Sequence, residues 1–242
     1  MKGRPLNKAE WKTLLKKNSP RLLDNKNIVS LLPLKLALMS GLREIEITLI
    51  PISSIVTATG ELNEIFILPK EIAHNEKARP ILLNEELKCD IEQYLKVLTE
   101  FGVNQMPHAA YLGFDPNSQL IVSDDFKPYK TQSRGLLTSR ARIVPSELNK
   151  HLDTLISNAS LDTKGITRKS LIRTYVTQGL KAKWSLRDIA MLSGMTEANV
   201  SKIAVLDLEQ YSPIADFFSN RDRKKKLKVK RLEKIRRWTF ME

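Results

Sequence analysis

Two segments of this 242-residue chain concentrate arginine and lysine, whose side chains bind the oxygens of phosphate groups. Arg134, Arg140 and Arg142 lie close together in the chain, beside small residues. Residues 221–237 hold eleven Lys and Arg against two Asp and Glu, and so contribute +9 to a net charge of +13. Contacts to a nucleic-acid backbone depend on charge more than on exact geometry. Both segments are therefore predicted to contact phosphates, the second through Arg223, Lys224, Lys225 and Lys226.

The composition of the whole chain favours a polyanionic partner, since its pI is about 9.8. The alternative is a basic enzyme that does not bind nucleic acid. No apolar segment is long enough to span a membrane, and the single Cys89 is expected to be a reduced thiol. The three histidines lack the spacing of metal ligands. We therefore expect no metal, no cofactor and no membrane contact, in a cytoplasmic, nucleoid-associated protein.

Residues 185–204 have the pattern of two short helices joined by a tight turn. Ser185, with Asp188 three residues later, is typical of a helix start. Gly194 ends the apolar periodicity, and Thr196 is suited to cap a second helix that buries Val200 and Ile203. This pattern is similar to a DNA-reading helix-turn-helix, which makes a transcriptional regulator one possible interpretation.

A second similarity starts at residues 40–49, Ser-Gly-Leu-Arg-Glu-Ile-Glu-Ile-Thr-Leu, here called the first box. This segment resembles the Thr-Gly-Leu-Arg-x-x-Glu-(Leu/Ile)-x-x-Leu motif of the tyrosine recombinase (phage integrase) family. The resemblance implies that Arg43 binds the DNA phosphate at which the strand is cut. Taken alone, Gly-Leu-Arg is a weak signal, and Arg43 could equally be a surface charge after a helix that ends at Gly41.

The residues after the first box predict a small sheet. Residues 50–59 and 62–68 are β-branched and apolar on either side of Gly60, which is typical of a hairpin. A polar loop and a further strand at residues 77–83 follow. The family carries a lysine at this hairpin that protonates the leaving oxygen. Lys70 takes that place by resemblance, and Lys77 is a competing assignment because the loop is long.

Residues 165–204, here called the second box, resemble the second catalytic box of the same family. The motif Gly-(Val/Ile)-Thr-Pro-His-x-Leu-Arg-(His/Arg)-Thr-Phe aligns without gaps to Gly165, Ile166, Thr167, Leu171, Thr174 and Tyr175. Lys169 then holds the histidine position and Ile172 the arginine position. Arg173 follows one residue later, about 100° round the helix.

The last polar positions of the second box are replaced by apolar residues. Met195 holds the second histidine position, and Ala204 holds the position of the nucleophilic tyrosine. A strand-cleaving recombinase needs a hydroxyl to form its covalent intermediate, and alanine has none. Tyr211 is the nearest tyrosine, and we expect it to pack in an apolar environment.

These observations predict a mainly α protein with a small antiparallel β-sheet (α+β), similar to a tyrosine-recombinase catalytic domain. Residues 1–208 are expected to form this domain without a separate core-binding domain, and residues 209–242 a basic helix or tail. Its expected partner is double-stranded DNA, and an active recombinase or further copies of itself are the candidate protein partners. The predicted DNA contacts are Arg43, Lys70, Lys77, Arg79, Arg134, Arg140, Arg142, Arg168, Lys169, Arg173, Lys202, Arg223, Lys224, Lys225 and Lys226.

Three functions remain open from the sequence. The first is a DNA-binding protein of mobile-element recombination or integration that lacks the nucleophile, and so is not expected to be an enzyme. The second is an active recombinase that uses Tyr211, with Arg43, Lys70, Lys169 and Arg173 as family-equivalent catalytic residues. The third is the helix-turn-helix regulator. We expect Arg43, Lys70 and Lys169 to converge on one solvent-open basic pocket if either of the first two is correct.

Overall fold

The structure is a computed structural model, and it describes residues 2–19, 25–134, 142–206 and 227–229. The chain divides into two units after Leu206. In the described part of the chain, helices far outnumber strands, as the sequence predicts. None of the helices among these residues is long and apolar enough to cross a membrane.

The helices follow one another along the first unit, with two pairs of short strands between them. The helices are α1 (Lys8–Asn18), α2 (Asn25–Met39), α3 (Glu44–Leu49), α4 (Ile52–Ile55), α5 (Glu85–Glu100), α6 (Ser146–Asn158), α7 (Arg168–Lys181), α8 (Leu186–Ser193) and α9 (Glu197–Leu206). The strands are β1 (Ile65–Leu68), β2 (Arg79–Leu82), β3 (Gln132–Arg134) and β4 (Arg142–Val144). β1 pairs antiparallel with β2, and β3 with β4.

The core of the first unit is built around α2, which packs against both α5 and α7. Val29, Leu34, Leu36 and Leu38 are all buried, although they point to different sides of the helix. A helix that is apolar all round belongs in the interior. Pro33 lies within this helix, where proline has no N–H to donate to the preceding turn.

The small sheet differs from the predicted hairpin. Residues 50–59 do not form a strand: Pro51 precedes the short helix α4, in which Ile52 and Ile55 are buried three residues apart. Val56 and Leu62 form only an isolated bridge around the turn at Gly60. β1 pairs instead with β2, with Phe66 opposite Ile81. The prediction failed because β-branched residues favour a strand only when a partner strand is within reach.

The N-terminal segment is held against α7. Asn7 and Glu10 form a reciprocal capping box at the start of α1, as the sequence indicates. The backbone N–H of Leu6 donates to Thr174 Oγ1 at 2.9 Å, and the N–H of Gly3 donates to the Gly165 carbonyl at 2.7 Å. These bonds join the start of the described chain to the second box.

Helices α7, α8 and α9 form a small three-helix group with its own apolar cluster, which includes Val176, Ile189, Val200 and Ile203. The predicted caps are present. Ser185 Oγ accepts the Asp188 N–H at 3.1 Å, and Thr196 Oγ1 accepts the Asn199 N–H at 3.3 Å. Gly194 lies between α8 and α9 with φ of 65°, a left-handed conformation that glycine adopts without strain.

Candidate functional site

Arg43 lies at the turn that starts α3, where its backbone is extended. Its side chain is largely buried, and its Nε has no hydrogen-bond partner among the described residues. Burial lowers the pKa of the guanidinium below its ordinary value, while the carboxylates of Glu46 and Glu44 raise it and the charge of Arg79 lowers it. An arginine nevertheless stays charged in a protein. A buried cationic donor without a partner is suited to an anionic ligand.

Glu46 organises this turn. Its carboxylate is 1% exposed and accepts three hydrogen bonds from different segments of the chain. Oε2 accepts the backbone N–H of Arg43 at 2.8 Å and the guanidinium of Arg79 at 2.5 Å, and Oε1 accepts the N–H of His74 at 3.0 Å. Sequence reasoning included Glu46 in the motif and missed this role. The available signal was its position three residues after Arg43, as in a capping box.

Arg79, in β2, is 3% exposed and is surrounded by internal acceptors. Besides Glu46, its guanidinium donates to the carbonyl of Leu192 at the end of α8 and to that of Gly41 at 3.4 Å. The prediction that Arg79 contacts DNA does not fit this environment, because the side chain presents almost no surface to solvent. Its partners instead give it an internal role between the two boxes.

Two glycines permit the close approach of the boxes. Gly41 has φ of 70°, and a Cβ at this position would lie 2.5 Å from Tyr175 Cε1. At Gly194 a Cβ would lie 3.0 Å from Arg79 Nε. Burial raises the pKa of the Tyr175 hydroxyl to about 12, although the nearby charge of Arg79 acts in the opposite direction. Larger residues at either glycine would push the two boxes apart.

The two candidate lysines lie in the loop between β1 and β2. The Lys70 side chain is 72% exposed, with its Nζ 4.0 Å from Glu71, and Lys77 is also exposed. This loop is held against the site, because His74 bonds to Glu46 and Asn75 Nδ2 donates to the Gly194 carbonyl at 3.2 Å. The structure thus places both lysines in a segment that contacts the Arg43 turn. Lys70 and Lys77 therefore both stay predictions for the lysine of the motif.

The start of α7 is adjacent to the start of α3. Arg168 donates to Asp153 at 3.0 Å, and its guanidinium also lies 3.9 Å from the Glu44 carboxylate. Lys169 follows it and is exposed. The segments that carry Arg43, Lys70 and Lys169 therefore meet around α3. Convergence of their three charged groups on one phosphate stays a prediction.

The remaining second-box positions are mostly apolar. Ile172 is 8% exposed and packs with Tyr175 and Leu192, and Met195 is half-buried against the same cluster. Arg173 is turned away from them, since it donates to the Gly3 carbonyl at 2.5 Å. The guanidinium of Arg173, one residue after the arginine position of the motif, is therefore bound to the N-terminal segment.

On α9, Ala204 is half-buried and Lys202 is exposed. Several predicted positions lie outside the described residues: Arg140, Tyr211, Arg223, Lys224, Lys225 and Lys226. Arg134 and Arg142 are described only for their backbone, in the paired strands β3 and β4. Among the described residues, no group of histidine, cysteine and carboxylate side chains could hold a metal ion. Cys89 is exposed on α5 as a free thiol.

No protein-family model matches the chain, and no curated protein sequence matches it. Solved structures do. XerA recombinase is similar with a TM-score of 0.60 and 17% identity, over 88% of this chain and 65% of that one. XerH site-specific recombinase, bound to palindromic difH substrate in a post-cleavage complex, has a TM-score of 0.57 and 13% identity, over 89% and 52%.

The Tn1549 transposon integrase in complex with circular intermediate DNA is also similar, with a TM-score of 0.53 and 14% identity, over 85% of this chain and 63% of that one. The chain spans between about half and two thirds of the length of these three proteins. At such low identities the likeness establishes the fold. The chain has the fold of a tyrosine-recombinase catalytic domain, as the residues around Arg43 and Gly165 predicted.

Proposed function

We propose that this chain binds double-stranded DNA in mobile-element recombination or integration, and that it does so without forming a covalent bond to the DNA. The observation that carries this proposal is the contrast between Arg43 and Ala204. The phosphate-binding position holds a largely buried guanidinium whose Nε has no partner among the described residues. The nucleophile position holds a methyl group. Such a site can bind a phosphate but has no hydroxyl there to attack it.

Phosphate binding follows from the surroundings of Arg43. A DNA phosphate at the partly exposed Arg43 side chain would offset the burial that lowers the pKa of its guanidinium. Lys70, Lys77 and Lys169 are exposed on the segments that meet at α3 and would contact neighbouring phosphates. XerH and the Tn1549 integrase, which share the fold, are themselves bound to DNA.

The chemistry of strand cleavage lacks several groups in this chain. Ile172 offers no charge where the motif has its second arginine, and Met195 offers no donor where the motif has its second histidine. Losing members of a catalytic unit is not additive, so Arg43 and the lysines would not restore cleavage by themselves. The competing proposal is an active recombinase that uses Tyr211, which lies outside the described residues.

The binding proposal is tested by replacing Arg43 with methionine and measuring affinity for a short random-sequence duplex by fluorescence anisotropy. We expect Arg43→Met to weaken binding at least about tenfold, since a hydrogen bond to a charged group contributes about 1.5–3 kcal/mol and about 1.4 kcal/mol is a factor of ten. Lys16→Met, which removes one exposed charge from α1, is the control and should have a smaller effect. Equal affinities for Arg43→Met and the unmodified protein would exclude Arg43 as a phosphate ligand.

A transcriptional regulator is the second candidate, and the surface of α9 favours it. Asn199, Ser201 and Lys202 are exposed along this helix, and such side chains are suited to contact base edges. Against it, the turn before α9 is bonded to Asn75 and Arg79 beside the Arg43 site. Asn199→Ala and Lys202→Met would change the preferred DNA sequence if α9 enters a major groove. Unchanged selectivity in a random-sequence binding selection would exclude this candidate.

A further inference from the structure

Arg79 and Glu46 form a buried ion pair that joins three segments of the chain. Through Glu46 the pair holds the Arg43 turn and the loop at His74. Through its guanidinium Arg79 holds the Gly41 carbonyl, two residues before Arg43, and the Leu192 carbonyl, two residues before the turn at Gly194. The first box, the loop that carries Lys70 and Lys77, and the second box therefore share one buried pair.

The charges of this cluster do not cancel. Arg43 and Arg79 are two cations, and Glu46 is the one buried carboxylate that bonds to both residues. Glu44 also acts on Arg43, but it is partly exposed and lies 3.9 Å from Arg168. The Nε atoms of both Arg43 and Arg79 are buried without a hydrogen-bond partner among the described residues. An excess of positive charge therefore remains beside the Arg43 turn.

The geometry makes the position of Arg43 depend on Arg79. The same oxygen, Glu46 Oε2, accepts the backbone N–H of Arg43 at 2.8 Å and the Arg79 guanidinium at 2.5 Å. Without Arg79, the charge of that carboxylate would act on the guanidinium of Arg43, whose pKa it already raises. An arginine that pairs with a carboxylate is less available to a phosphate. Arg79 thus keeps Glu46 from neutralising Arg43.

We propose that Arg79 is a positioning residue for phosphate binding: it holds Glu46 on the backbone of Arg43, and so leaves the Arg43 side chain free for DNA. This inference rests on the proposed function, because it concerns the same phosphate. Arg79 itself touches no DNA in this scheme, since it is 3% exposed. Its effect on affinity has to pass through Arg43.

A double-mutant cycle separates positioning from simple structural support. The variants are Arg43→Met, Arg79→Met and the combination of both, and the probe is a short random-sequence duplex, measured by fluorescence anisotropy below the unfolding temperature of every variant. Arg4→Met, alone and combined with Arg43→Met, is the matched control. Arg4 forms a 2.5 Å ion pair with Glu10 in the N-terminal segment, where side chains are also little exposed.

We expect each of Arg43→Met and Arg79→Met to weaken binding about tenfold and the combination to bind no more weakly than either one, a coupling of about 1.4 kcal/mol. Arg4→Met should leave the affinity unchanged in both backgrounds. Arg79→Lys keeps the charge but cannot reach Glu46, Gly41 and Leu192 together, so it should weaken binding as well. Arg79→Lys also tests the positioning role of Arg79 if Arg79→Met does not fold.

Three outcomes contradict these expectations in different ways. If the effects of Arg43→Met and Arg79→Met multiply, to about a hundredfold in the combination, Arg79 supports the fold without positioning Arg43. If both Arg79 variants bind as tightly as the unmodified protein, the pair has no role in binding. If Arg43→Met itself has no effect, the proposed phosphate site fails, and the positioning role fails with it.

Discussion

The first and second boxes lie side by side in this protein, but they differ in the polar side chains that they contain. The first box keeps its charged residues, and these make polar contacts. The backbone N–H of Arg43 donates to Glu46, and Glu46 pairs with Arg79. The second box keeps its helices, its caps and its glycine turn, while Ile172 and Met195 pack in apolar clusters. The helices and turns of a site can therefore persist where its polar groups do not, because packing and catalysis depend on different side chains.

The largest expected effect that would break this comparison is covalent DNA binding. We expect no covalent complex when the protein is incubated with nicked suicide substrates from the ends of the mobile element proposed to encode it and examined on denaturing gels. Ala204 has no nucleophilic atom, and Ala204→Tyr should not restore cleavage while Ile172 and Met195 remain.

A covalent band would overturn that expectation. If the band disappears in Tyr211→Phe, the protein is an active recombinase with a displaced tyrosine. If it survives in Tyr211→Phe, another nucleophile is present.

The second prediction concerns the stability of the first box. Glu46→Gln leaves the buried cations Arg79 and Arg43 without their carboxylate, and removing one partner of a buried pair costs about 3–5 kcal/mol. Arg4→Met removes the partner of Glu10, whose carboxylate is 8% exposed but still accepts the Asn7 N–H, and should cost less, about 1–3 kcal/mol. Urea unfolding measures both. Equal losses would mean that the Arg79–Glu46 pair is no more important to the fold than the N-terminal one.

The third prediction tests the contact between the boxes. Gly194→Ala introduces a left-handed alanine and a Cβ that would lie 3.0 Å from Arg79 Nε. Gly102 has nearly the same φ, 64°, with nothing within 4 Å, so Gly102→Ala is a control for backbone strain alone. We expect a cost of about 1–2 kcal/mol at Gly102 and a further loss at Gly194. The unfolding free energies check this, and equal costs would mean that Arg79 yields to the methyl group without loss.

The smallest effect is on the salt dependence of DNA binding. Affinity for duplex DNA should fall steeply with salt, because basic residues displace counterions from phosphates. Truncation before Arg221 should flatten the slope of log affinity against log salt by about 0.9 for each phosphate contact removed. Lys70→Met and Lys77→Met, measured separately, show which lysine of the loop contacts a phosphate. A slope unchanged by truncation would mean that the basic segment does not touch DNA.

Much of the fold could be predicted from the sequence, and the errors have a common cause. The start of α8 at Ser185 and the turn at Gly194 were both correct. The strand predicted for residues 50–59 was wrong, because the same apolar residues fill the core from the short helix α4. β1 is a strand as predicted, but its partner β2 lies beyond a long polar loop.

In the candidate site, too, the motif residues could be found from the sequence, whereas the contacts between distant segments could not. The resemblance predicts Arg43 as a phosphate ligand and Ala204 at the nucleophile position, because motif residues are readable from their order in the chain, and both roles stay predictions. Arg79 was predicted to be a DNA contact. It is buried instead, because the Leu192 carbonyl and Glu46, far away in the sequence, accept hydrogen bonds from the two terminal nitrogens of its guanidinium.

The sequence by itself determined the local features of this protein: its helix caps, its glycine turn, its positive charge and the absence of a hydroxyl at position 204. Each depends on residues within a few positions of one another, or on the type of a single side chain. Only the tertiary structure decided which strand pairs with β1, why Arg173 bonds to Gly3, and why Arg79 joins the two boxes. These contacts form between segments far apart in the chain, and they exist only because packing of the apolar core brings their donors and acceptors together.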